Sequence, residues 1–222
     1  MTIFTVFLLS QSILVPIIIY LIRIRGWVFI YWPFFLLLLL GFMNELISFF
    51  VIHNFKLSNA PVVNIYSLLE CCLILYQLHI WRNKKAGNRP FYFLTCLCIT
   101  VWIIDNIVFS NLPVFSPYFR IFYAFIIVLL SINQINALMV APNGVLYKSP
   151  RFIISLGFVI SFIYQIIYEA SFYIGSDKSI IANKIIFGFG YINLLVYLLY
   201  SVAVFFITAK KKEGYFDYFS ES

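Results

Sequence analysis

Glu45, Glu70, Asp105, Arg120 and Glu169 each fall within a different apolar stretch of the chain. An ionisable side chain at membrane depth is costly, so it faces a bundle interior or a watery cavity and marks a site. Four acids and one base do not balance. Either a cation from elsewhere supplies the missing positive charge, or some of these acids carry protons. The simplest pairing sets Asp105 against Arg120, which flank the short connection 110–117 on adjacent antiparallel helices. Such a pair would be mainly structural. Glu45, Glu70 and Glu169 are then left without an obvious cation. They are expected to converge on one outward-open cavity, with Glu70 at its floor, that binds a cation, a cationic ligand or a proton. The blander alternative has them protonated and hydrogen-bonded to Asn44, Asn64, Asn106 and the tyrosines.

The elements that must position these groups are membrane helices. The chain has 222 residues, of which 64% are hydrophobic and 10% charged, where a soluble domain carries about 25% charged residues. Seven apolar runs, at about 4–22, 27–52, 62–81, 90–110, 118–140, 152–173 and 185–208, each approach the roughly 20 residues that cross a hydrocarbon core as a helix. Backbone polar groups in lipid need internal partners, which excludes open sheet. The runs are continuous rather than alternating, which excludes a barrel. The expected fold is all-α: a seven-helix transmembrane bundle over 1–209 with a short basic-then-aromatic tail at 210–222. The first run lacks a basic leader and is followed by Arg23 and Arg25, which predicts an uncleaved helix.

Charge placement orients the bundle. The first, third and fifth connections and the tail hold Arg23, Arg25, Arg82, Lys84, Lys85, Arg89, Lys148, Arg151, Lys210, Lys211 and Lys212. The other side holds only Lys56, Arg120, Lys178 and Lys184. The expectation is an N-terminus outside, a cytoplasmic C-terminus and a place in the inner membrane. The net charge of +7 is therefore a topology signal, and a nucleic-acid partner is excluded. The expected partners are the bilayer and a protein on the cytoplasmic side. No cofactor is implied.

In lipid the informative stripe of a helix is its polar one. Gly41, Asn44, Glu45 and Ser48 share a face of the second helix by their spacing of three and four. Asn64, Ser67, Glu70 and Cys71 do so on the third, and Ser161, Gln165 and Glu169 on the sixth. Thr95, Cys98, Trp102 and Asp105, with Asn106 beside them, mark the fourth, and Gly190, Asn193, Tyr197 and Ser201 the seventh. All five stripes are expected to turn inward, with Glu70 about 12 Å below the outer surface at 1.5 Å per residue. A lower group, Gln77, Asn133, Gln134, Asn136 and Asn193, is expected to stitch helices together.

Chemistry narrows the function classes. His53 and His79 lie near opposite faces, so a three-histidine zinc centre is excluded. No Ser–His or Cys–His pairing follows from the spacing, and Cys71, Cys72, Cys96 and Cys98 read as small hydrophobes. Catalysis, such as intramembrane lipid modification, has the least support. Proton- or cation-coupled transport fits the carboxylates, but no internal repeat or broken helix accompanies them. A sensor or accessory subunit acting through a partner is favoured narrowly. The run Asn64-Ile-Tyr-Ser-Leu-Leu-Glu70, with Asn44-Glu45-Leu46, resembles an uncharacterised group of small multi-helix inner-membrane proteins of Bacteroidota. That resemblance implies an inner-membrane location and importance for Glu45, Asn64 and Glu70, and carries no activity.

Overall fold

The structure, a computed structural model, describes residues 9–23, 29–56, 58–82, 87–140, 146–171 and 180–210. The start of the first apolar run and the tail after Lys210 lie outside the described residues. The described chain is helical, without strands. The helices are α1 (Leu14–Arg23), α2 (Trp32–Phe50), α3 (Ala60–Trp81), α4 (Arg89–Ile103), α5 (Tyr118–Val140), α6 (Pro150–Ser171) and α7 (Ile180–Lys210). Six of them are long and apolar enough to cross a membrane, and α1, with the turn before it, forms a shorter apolar helix over Gln11–Arg23. The chain is a multi-pass membrane protein.

Helix starts follow local chemistry. Pro occupies the first turn of α2, α3 and α4, where its missing N–H costs nothing and its fixed φ suits a helix. Pro33 moves the start of α2 to Trp32, later than the apolar run beginning near residue 27. Two ends depart from α geometry. Val51–Phe55 and Ile104–Phe109 continue α2 and α4 as wider π-helical turns, a feature that hydrophobic periodicity does not register. The first closes on Lys56 at φ 52°, a left-handed stop of the kind that ends many helices.

Six helices close a ring. α1 packs on α2, α2 on α3, α3 on α5, α5 on α6, α6 on α7, and α7 returns to α1. α4 stands outside this ring, against α3 and α5, and has the smallest buried share of the spanning helices. α1 lies between α2 and α7. Near its start Ser10 meets Glu45, and at its end the Arg23 guanidinium lies 4.1 Å from the Phe205 ring of α7. α7 is unbroken through Gly188, whose missing side chain makes room for the Tyr164 hydroxyl.

Two buried side chains replace caps that the local sequence lacks. α2 begins at Trp32 with no side-chain cap of its own. Gln77 of α3 accepts a hydrogen bond from the Phe34 N–H at 2.9 Å and donates to the Ile30 carbonyl at 2.8 Å. Asp105 does the same for α5. Its two oxygens accept from the Phe119 N–H at 2.9 Å and the Ser116 hydroxyl at 2.6 Å. The first N–H groups of a helix need acceptors, and negative charge is favoured there. Each cap comes from another helix, so it also fixes how the two helices sit together.

Candidate functional site

The ring encloses a cavity of about 550 Å³. On α2 its wall runs from Ser48 to Leu37, roughly 16 Å along the axis. Helices α2, α3, α5, α6 and α7 contribute to the lining, as does Ile13 in the turn that opens α1, whereas α4 contributes none of the described lining. Ser58 and Asn59 of the α2–α3 connection and Phe115 of the α4–α5 connection lie at one end. At the other end the floor is apolar. Phe34, fully buried, meets the rings of Tyr200 at 5.1 Å and Phe158 at 6.5 Å, and those two meet each other at 6.0 Å.

Among the described residues, the acidic and basic side chains that line the cavity are Glu45, Glu70 and Arg120. Glu70 accepts hydrogen bonds from the Tyr66 hydroxyl at 2.8 Å and the Tyr123 hydroxyl at 2.6 Å. The Gln165 amide donates to Tyr123 at 2.9 Å. An amide NH₂ can only donate, so Gln165 sets the direction of this chain and leaves Tyr123 to donate toward Glu70. Gly41 of α2 makes room for Ile13, whose Cδ1 would stand 2.9 Å from a Cβ there. Glu45 is held more lightly, by the Ser10 hydroxyl at 3.2 Å. Tyr197 of α7 lines the same space as both glutamates.

Arg120 pairs with Glu169, Nη2 to Oε1 at 2.9 Å. The expected Asp105–Arg120 pair is therefore replaced, and the reason is local. Asp105 is engaged by the N-terminus of α5, only one residue before Arg120, while the arginine side chain reaches across to α6. Glu169, 0% exposed, is absent from the cavity wall and stands behind Arg120. Of the three glutamates expected to converge, two line the cavity and the third neutralises its cation. Arg120 also lies over the Phe115 ring at 5.2 Å.

The asparagines divide. Asn44 lines the cavity. Asn64 and Asn106, expected in the same site, do not. Asn64 donates to the Leu112 and Val114 carbonyls, both at 3.0 Å, and so pins the connection that carries Phe115. Its own carbonyl accepts from the Trp102 indole at 2.9 Å. Asn106 donates to the Trp102 carbonyl one turn back at 3.1 Å. Neither bonds a glutamate, so the hydrogen bonds expected from the asparagines come instead from Tyr66, Tyr123 and Ser10. The α4 stripe is real but faces α3 and α5. In the lower group Gln77 is a helix cap and Asn193 lines the cavity, while Asn133 and Asn136 are exposed.

Tyr123 and Gln165 illustrate what the sequence hides. Gln165 sits on the recognised α6 stripe, but Tyr123 has only Arg120, three residues earlier, as a polar companion in an otherwise apolar stretch of α5. Only its burial beside Glu70 reveals it. His53 and His79 stack on Phe49 and Phe91, and the four cysteines are free. No grouping of three His, Cys, Asp or Glu suited to a metal occurs among the described residues. The chain matches no protein-family model, and comparison with curated proteins and with solved structures finds no similar protein.

Proposed function

We propose that this is a seven-helix protein of the inner membrane, N-terminus outside, that binds a small ligand in the ring cavity and conveys its occupancy to a protein partner on the cytoplasmic side. The observation that carries this reading is the wall itself, to which every helix of the ring, or the turn that opens it, contributes. A ligand shifts a conformational equilibrium only through differential contacts with two states. An occupant here touches the whole ring at once, so any change in helix spacing changes its contacts. The span of α1 from Glu45 to Phe205 supports a seventh crossing, and the Lys and Arg asymmetry supports the orientation.

The floor weighs against a transporter. Passage would require the Phe34, Phe158 and Tyr200 layer to part, and those rings are among the most buried in the chain. An enzyme has less support, because the described lining offers hydroxyls and carboxylates but no His or Cys. The test uses the full-length protein in lipid vesicles with the low-mass fraction of a cell extract. Wild type should gain thermal stability from the fraction, Glu70→Gln should not, and no component should accumulate inside the vesicles. No stabilisation of wild type would reject a binding cavity, and accumulation would replace the sensor by a transporter.

A further inference from the structure

We propose that the cavity takes a small organic ammonium ion, its charged head between Glu45 and Glu70 and its apolar body against the aromatic wall. This rests on the reading of the ring as a ligand-binding cavity and names the class of ligand. Charge comes first. Of the acidic and basic side chains that line the wall among the described residues, Arg120 has its counter-charge in Glu169 at 2.9 Å. Glu45 and Glu70 have only hydroxyl donors. With both ionised, the wall carries two negative charges against an Arg120 charge that Glu169 already shares.

Unused acceptors point the same way. Ser48, only 9% exposed, and Asn44 both line the cavity, and the Ser48 hydroxyl and the Asn44 side-chain oxygen have no hydrogen-bond partner among the described residues. Both share the α2 face with Glu45. A buried polar atom without a partner costs free energy until something occupies the space beside it. A carboxylate has room for about four hydrogen bonds; Glu70 uses two and Glu45 one. An ammonium head brings donors and no acceptor, which suits a wall rich in acceptors.

Size and aromatic content separate an organic cation from an inorganic one. A volume of about 550 Å³ falls in the range of small-molecule sites, roughly 300–1,000 Å³. A bare ion would leave most of it unfilled, and no grouping of three metal-type ligands is present among the described residues. Tyr66, Phe162, Tyr168, Phe189 and Tyr197 all line the space. Aromatic faces attract ammonium groups within about 6 Å and bury the carbon body that carries them.

The experiment titrates the full-length protein in nanodiscs with three probes of matched shape: 2-phenylethylammonium, 2-phenylethanol and phenylacetate. Glu45→Gln/Glu70→Gln nanodiscs report partitioning into lipid. The ammonium probe should bind saturably and at least about tenfold tighter than the other two, and the double variant should lose that advantage. Selectivity within the wild-type protein decides the class even if the double variant fails to fold. Equal binding of the alcohol overturns the cation. Preference for phenylacetate overturns it too and assigns the charge to Arg120. In either case saturable binding keeps the cavity itself. If no probe binds saturably, the cavity reading falls with the ammonium.

Discussion

Asp105 and Glu169 show how one functional group, the carboxyl, takes different roles in two helices. Asp105 sits at the mouth of a helix N-terminus and is satisfied by a backbone N–H and a hydroxyl. Glu169 is fully buried and ion-paired with Arg120 through Oε1, while its Oε2 has no hydrogen-bond partner among the described residues. Removing one member of a buried ion pair leaves an uncompensated charge, at a cost of ~3–5 kcal/mol. Arg120→Ala should therefore lower stability by about that amount. Arg120→Met combined with Glu169→Leu should recover most of it, because well-packed apolar replacements of a buried pair are often neutral. Denaturation in mild detergent checks both. Asp105→Ala should cost about 1–2 kcal/mol, the value of a lost helix cap, and combining Arg120→Met with Asp105→Asn should bring no recovery. Recovery there would restore the pairing that charge and depth alone predict.

At the scale of elements, the polar stripes were legible because polar residues are rare in these apolar helices and their spacing is helical. What each stripe faces was not legible. The α2 stripe of Gly41, Asn44, Glu45 and Ser48 lines the cavity, while the equally regular α4 stripe packs on neighbouring helices, because α4 stands outside the ring. Periodicity gives a direction relative to the helix axis and says nothing of which neighbour lies there. The caps were hidden for a related reason. Gln77 and Asp105 act on N-termini more than ten residues away, which local signals do not reach. Gly157 makes an element-scale prediction. A Cβ at this position would collide with the Tyr200 ring, which forms part of the cavity floor. Gly157→Ala should destabilise the bundle by about 1–3 kcal/mol, the usual cost of overpacking, and should weaken binding in the cavity by displacing that ring. Cys72→Ser on α3, a half-buried residue outside the cavity wall, should leave binding unchanged.

For the whole molecule, the decisive quantity is the number of crossings. Six helices meet the length for a span on their own. The first is helical from Leu9 to Arg23 in the described residues, about 22 Å at 1.5 Å per residue, against a hydrocarbon core of ≈ 30 Å. Length alone would let α1 lie in one leaflet. Packing argues otherwise, since α1 closes the ring between α2 and α7, meets Glu45 near one end and Phe205 near the other. Seven crossings place the two termini on opposite faces; six place them on the same face. Separate epitopes before Met1 and after Ser222, probed in intact and permeabilised cells, distinguish these outcomes. The N-terminal epitope should be reached without permeabilisation and the C-terminal one only after it. Both epitopes on one face would remove α1 from the membrane-crossing set. A reversed pattern would keep seven crossings and turn the cavity, with Glu45 and Glu70, toward the cytoplasm. In that case the ammonium ion would be an intracellular ligand, and the basic connections would no longer be where a cytoplasmic partner docks.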